Sequence, residues 1–162
     1  MRKVKVKIPA GVDNGVRLRL RGEGEAGKRG GPPGDLYVHI RVRPDPVFRR
    51  EGDNLLYEAA ISFPQAALGA EIEVPTLEST ARVKVPEGTQ SGSTIRLKGK
   101  GVPNPYGHSR GDLIVRLKVV TPTRLTERQK ELLREFARLS GEEITKGEKE
   151  KGFFEKVRDA FM

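Results

Sequence analysis

The 162-residue chain carries 31 Lys and Arg against 22 Asp and Glu, with no Cys, two His, 19 Gly, 11 Pro and only 35% hydrophobic residues. Zero cysteines exclude disulfide staples, thiol nucleophiles and Cys-ligated zinc, and two histidines leave no His-rich metal or catalytic centre. No run of about 18 apolar residues exists to span a bilayer, and Met1-Arg2-Lys3-Val4-Lys5 lacks a signal-peptide core, so the chain reads as soluble and cytoplasmic.

Taken in chain order, Val4, Val6 and Ile8 alternate with Lys3, Lys5 and Lys7, which predicts a strand with one buried face. Turn and bulge chemistry follows at Pro9, Gly11 and Gly15. A second strand places Leu18 and Leu20 between Arg17, Arg19 and Arg21. Beyond Gly22 and Gly24, Leu36, Val38, Ile40 and Val42 continue the period of two. Asp53 to Phe63 reads as a strand, Pro64 as a helix start, Gln65 to Leu68 as its body and Gly69 as its stop. Another strand covers Glu71 to Val74.

From here the chain repeats itself. At a shift of 77 residues, without gaps, Val6-Lys7-Ile8-Pro9-Ala10-Gly11 falls on Val83-Lys84-Val85-Pro86-Glu87-Gly88, and Arg19-Leu20-Arg21-Gly22 on Arg96-Leu97-Lys98-Gly99. Gly34-Asp35-Leu36 falls on Gly111-Asp112-Leu113. Charge repeats as well: residues 1–50 hold 13 basic and 5 acidic side chains, residues 51–80 hold 6 acidic and no basic ones, and residues 81–120 hold 8 basic and 2 acidic. The fold class expected is mainly β: two tandem small β-sandwich domains related by this repeat, followed by C-terminal helices. The expected boundaries are 1–50, 51–123 and 124–162. Nothing before Val4 matches the strand-helix-strand opening of the second copy, so the first domain is expected to be incomplete on its N-terminal side and the chain to be the carboxyl part of a longer protein.

After the second copy, Thr126-Glu127-Arg128-Gln129 is a capping box, with Leu132, Leu133, Phe136 and Leu139 on one helical stripe and Gly141 at the stop. A charged spacer leads to Gly152-Phe153-Phe154-Glu155-Lys156-Val157-Arg158-Asp159-Ala160-Phe161, with apolar residues at a spacing of four.

Several motifs fail on context. Gly22-Glu23-Gly24-Glu25-Ala26-Gly27 matches G-x-G-x-x-G, yet Glu23 and Glu25 repel phosphate, and Gly30-Gly31-Pro32-Pro33-Gly34 supplies no helix N-terminus. His39 and His108 have no acid at catalytic spacing, and no nucleophile, base and orienter set assembles, so the chain is not expected to be an enzyme. Asp35 and Asp112, each just before a strand, are expected to cap turns. The basic alternation (Lys3, Lys5, Lys7; Arg17, Arg19, Arg21; Arg41, Arg43; Arg96, Lys98; Arg116, Lys118) is either a solvated sheet face or a nucleic-acid face, although it lacks the interleaved aromatics that single-strand binders use.

The run Val6-Lys7-Ile8-Pro9-Ala10-Gly11-Val12, with Arg19 to Gly24 and Gly34-Asp35-Leu36-Tyr37-Val38, resembles the carboxyl-terminal client-binding region of bacterial DnaJ-type co-chaperones. So do Pro46-Val47-Phe48-Arg49-Arg50-Glu51-Gly52-Asp53-Asn54-Leu55 and the ending Gly152-Phe153-Phe154-Glu155-Lys156-Val157. The resemblance implies two small β-sandwich domains and a holdase that passes unfolded client polypeptides to a DnaK-type ATPase chaperone. It also implies a homodimer and no membrane or cofactor. Zinc is implied only for a Cys-rich module that this sequence does not contain, as it contains no J-domain with a His-Pro-Asp loop. As client-binding positions the resemblance and the alternation together suggest Val4, Val6, Leu36, Val38 and Phe48, with Ala81 and Val115 as the counterparts in the second copy. Dimerisation is expected through Leu132, Leu133, Phe136, Leu139, Phe153, Val157 and Phe161. The alternative reading is a basic nucleic-acid-binding β protein.

Overall fold

Alternating apolar residues pay off only when a partner strand satisfies the backbone between them. In the computed structural model, which describes residues 2–144, strand β1 (Arg17–Leu20) pairs antiparallel with β2 (Leu36–His39), setting Leu18 opposite Val38 and Leu20 opposite Leu36. In the second copy, β7 (Thr94–Leu97) pairs with β8 (Leu113–Val120) in the same register, Ile95 opposite Val115 and Leu97 opposite Leu113.

The turn chemistry is duplicated. The Gly22 amide donates to Asp35 Oδ1 at 3.0 Å and the Gly99 amide to Asp112 Oδ1 at 3.0 Å. Arg19 Nε reaches Asp35 Oδ2 at 2.6 Å, and Arg96 Nη1 reaches Asp112 Oδ2 at 2.7 Å. Both carboxyls are therefore held below the ordinary carboxylate range, first by the glycine amide and then by the arginine. Gly22 and Gly99 adopt φ of 72° and 71°, a conformation that carries a steric cost for residues with a Cβ. The capping role expected for Asp35 and Asp112 is what the structure shows.

The copies part company in what surrounds the hairpin. Ahead of the second lie β3 (Arg49–Glu51), β4 (Asn54–Ser62), the short helix α1 (Phe63–Leu68), β5 (Ala70–Pro75) and β6 (Thr80–Val85). Gly69 ends α1 as the sequence predicts, and Ser62 and Gln65 cap its start reciprocally. Strand β4 pairs parallel with the free side of β8, so the sheet order is β3-β4-β8-β7, while β5 and β6 form a separate antiparallel hairpin. With neighbours on both edges, β8 sends Leu113, Val115 and Leu117 into complete burial (0% exposed each). Leu55, Ala59 and Ile61 of β4, Ala66 of α1 and Val74, Val83 and Val85 of the β5–β6 hairpin complete one core. Two layers of β structure around a shared apolar centre make the fold mainly β and sandwich-like.

The first copy has no such neighbours among the described residues. Leu36, Val38 and Ile40, the mates of Leu113, Val115 and Leu117, stay half-buried. The strand expected from the Val4, Val6 and Ile8 alternation is not formed: residues 2–9 make no ladder pairing, with Val4 and Val6 half-buried and Ile8 exposed. Their counterpart β6 is a strand because Ile72 of β5 stands opposite Val83. No described residue plays the part of β5 for residues 3–8, and alternation without a partner does not make a strand.

Chain contacts divide the protein into two compact units, one ending at Thr121 and one beginning at Pro122. The second contains α2 (Glu127–Leu139), opened by the expected capping box: the Gln129 amide donates to Thr126 Oγ1 at 3.1 Å, and the Thr126 amide to Gln129 Oε1 at 2.8 Å. Leu132, Leu133, Phe136 and Leu139 are exposed on it, Leu139 at 81%. Phe153, Val157 and Phe161 lie outside the described residues.

Candidate binding clefts

Two clefts in the first unit set apolar side chains among charged ones. The first, about 510 Å³, lies between residues 2–5 and β1, with Val4 and Leu20 as its apolar lining and Arg2, Lys3, Lys5, Arg19 and Arg21 around them. Glu23 on the same rim pairs with Arg2, and Arg19 is committed to Asp35, so Lys3, Lys5 and Arg21 leave the mouth cationic. Behind the floor, Leu36 stands opposite Leu20 and Val38 opposite Leu18, which puts all four on one face of the hairpin.

The second cleft, about 460 Å³, opens on the outer face of the four-stranded sheet. Phe48 and Tyr57, both among its lining residues, pack partly buried against the core, their ring centroids 6.1 Å apart and planes tilted by 55°. Val47, Leu56 and Ile114 extend the apolar lining, and Arg49, Glu58 and Arg116 ring it. The loop presenting Val47 and Phe48 is ordered by Asp45, whose Oδ1 accepts from the Val47 amide at 2.7 Å and the Phe48 amide at 3.0 Å. Those two amides hold the Asp45 carboxyl below its usual range.

Of the expected binding positions, the structure therefore brings Val4 to the first cleft and sets Leu36 and Val38 on the face behind its floor, while Phe48 lines the second cleft. Val6 is half-buried and lines neither. Ala81 packs partly buried against the core and Val115 is inside it. The residues that sequence reasoning missed are Leu20, Leu56, Tyr57 and Ile114. A signal for two of them was present: Leu55-Leu56 and Leu113-Ile114-Val115 are apolar on consecutive positions, so one member of each run must face outward if the other faces the core.

Neither cleft carries metal chemistry. The sequence contains no cysteine, and among the described residues no group of three His, Asp or Glu side chains stands close enough to hold an ion. No helix among them is long and apolar enough to cross a membrane.

Duplicated hairpins, a two-layer β core and two clefts with charged rims define a tandem β-repeat region. The family model described as "DnaJ C terminal domain" matches residues 1–122, and that described as "Chaperone protein DnaJ C-terminal region" matches residues 128–162. The chain belongs to the DnaJ C-terminal domain family. It is 58% identical over 160 residues to the chaperone protein DnaJ of Geobacillus thermodenitrificans, covering 99% of this chain and 42% of that protein. It is 57% identical over 159 residues to the chaperone protein DnaJ of Methanothermobacter thermautotrophicus, covering 98% of this chain and again 42% of the relative. The chain thus spans well under half the length of the curated relatives it matches.

Proposed function

We propose that the chain binds extended, non-native polypeptide segments and works as the client-binding part of a J-domain co-chaperone that delivers them to a DnaK-type ATPase chaperone. The observation that carries this reading is the contrast between mates. Strand β8 has both edges paired and its inward Leu113, Val115 and Leu117 fully covered, whereas among the described residues β2 keeps one edge open and the matching Leu36 and Val38 half-covered. An unfolded segment needs partners for its backbone groups and a surface for alternate apolar side chains, and a strand edge beside an apolar face offers both. Val4, Val6, Leu36, Val38 and Phe48 are the proposed contact positions, with residues 1–50 and 51–123 as the two client-binding modules.

The test is anisotropy of a labelled, extended, apolar-rich peptide titrated with the chain at low and high salt, repeated with Val38→Asp. Binding that survives salt and is lost in the folded variant supports the reading. Binding that disappears as salt rises points instead to phosphate-like contacts on the basic faces, the nucleic-acid alternative. We further propose a homodimer through the stripe of Leu132, Leu133, Phe136 and Leu139 together with Phe153, Val157 and Phe161. The exposure of Leu132 (51%) and Leu139 (81%) supports it. A monomer by light scattering at tens of micromolar would remove it.

A further inference from the structure

Between the two copies lies a junction that the repeat itself does not contain. Arg50 follows the first copy, and the residue 77 positions further on is Glu127, so its guanidinium has no counterpart. Its side chain is only 22% exposed and all its nitrogens are engaged. Nε donates to Gly52 O at 2.7 Å in the turn that opens β4. Nη1 donates to Val12 O at 2.9 Å and Nη2 to Gly11 O at 2.8 Å, both in the turn of the first copy. Asp53 at 3.5 Å flanks it from the start of β4's turn and Asp13 at 3.8 Å from the first copy.

The same turn also touches the second copy directly. A Cβ on Gly11, whose φ is 89°, would stand 1.7 Å from Pro103 O, whereas a Cβ on its repeat mate Gly88, with φ 74°, would meet nothing within 4 Å. Gly11 and Gly88 occupy equal places in the repeat and equal backbone conformations, yet only Gly11 is closed upon.

From this we infer that Arg50 is a positioning residue: its fork, spread over two main-chain carbonyls of the first copy's turn and one in the turn that opens β4, fixes the two binding modules at a set orientation, so that a long client meets both clefts at one spacing. A planar guanidinium with five fixed donors suits such a site, and a lysine ammonium cannot span it. The inference rests on the client-binding reading for its consequence, although not for its geometry.

Residual dipolar couplings of the whole chain test the geometry. Amides of β1 and β2 and those of β7 and β8 are expected to share one alignment tensor in the native chain, and to need two in Arg50→Ala and in Arg50→Lys. Gly11→Ala, which wedges the same junction from the other side with the guanidinium intact, is expected to give two tensors as well. Gly88→Ala, which bears the same backbone strain without the contact, keeps one. The consequence is read by anisotropy: a long peptide with two apolar segments is expected to lose about tenfold in affinity in Arg50→Ala, while a short one-segment peptide binds as before. A single tensor in Arg50→Ala, or native behaviour in Arg50→Lys, would overturn the inference. So would equal losses for long and short peptides. Failure of either peptide to bind the native chain would count against the client-binding reading, and the tensor comparison would still decide the role of Arg50.

Discussion

Leu113 and Leu36 occupy the same position of the two copies, and replacing each with alanine is expected to cost unequal amounts. Leu113 is fully buried between β4, β7 and the β5–β6 hairpin, at 0% exposure. Truncation there removes the transfer energy of the lost carbons and leaves a cavity that a two-edged strand cannot collapse, a loss of about 3–5 kcal/mol. Leu36 is half-buried, so roughly half the transfer term is at stake and no closed cavity forms, giving about 1 kcal/mol. At about 3–4 °C per kcal/mol for a unit of this size, the two variants should fall roughly 10 °C or more and about 3–4 °C below the native chain. Urea unfolding followed by far-UV circular dichroism measures both. Peptide anisotropy is expected to rank them in the opposite order: Leu36→Ala weakens binding about tenfold, or about 1.4 kcal/mol, while folded Leu113→Ala binds as the native chain does. Equal stability losses at the two positions would refute the claim that neighbours, not the repeat, decide burial. Weaker binding in Leu113→Ala than in Leu36→Ala would refute the assignment of the β2 face.

Thr126→Ala removes the oxygen that accepts from the Gln129 amide and is expected to cost α2 about 1 kcal/mol, seen as faster amide exchange in the first turn of the helix. The carboxyls of Asp35, Asp45, Glu78 and Asp112 all titrate lower in the folded chain than when unfolded. Their stabilising contribution is therefore complete above the unfolded carboxylate value and lost as pH falls from about 4 through the lower folded values. The melting temperature is expected to stay level from pH 7 to 5 and drop below 4, with a shallower drop in Asp35→Asn/Asp112→Asn. Dialysis against EDTA is expected to leave both melting and peptide binding unchanged, as measured by scanning calorimetry and anisotropy, because the sequence supplies no thiolate ligand.

Much of the fold was legible because local chemistry and global fold agree wherever a residue's role depends on its near neighbours. The Thr126 cap, Gly69 after α1, the 77-residue repeat and the turn-capping by Asp35 and Asp112 all depend on atoms within one turn or one hairpin. Residues 3–8 misled for the opposite reason. Lys3 to Ile8 has the same alternation as Ala81 to Val85, and only the presence of β5 beside the latter makes a ladder. The clefts were legible in part. Val4 could be placed by its match to the family pattern, but Leu56 and Ile114 are called to the surface by a parallel pairing of β4 with β8 that joins residues nearly sixty positions apart, and period-two counting within one strand does not report which partner lies across.

That parallel pairing also explains why one hairpin design can serve two purposes. In the second copy, β4 takes the open edge of β8 and the β5–β6 hairpin takes its inner face, so Leu113 and Val115 become core, and Ala81, at the place of Val4, packs against that core. On the other side of the sheet Ile114 and Leu56 stand opposite each other in the ladder, while Phe48 and Tyr57 pack partly buried against the core. In the first copy the corresponding inner face, Leu36 and Val38, is the one left half-covered. Two related sequences thus offer apolar ground on opposite faces of equivalent hairpins, and a client able to touch both would need two apolar segments joined by enough chain to pass from one face to the other.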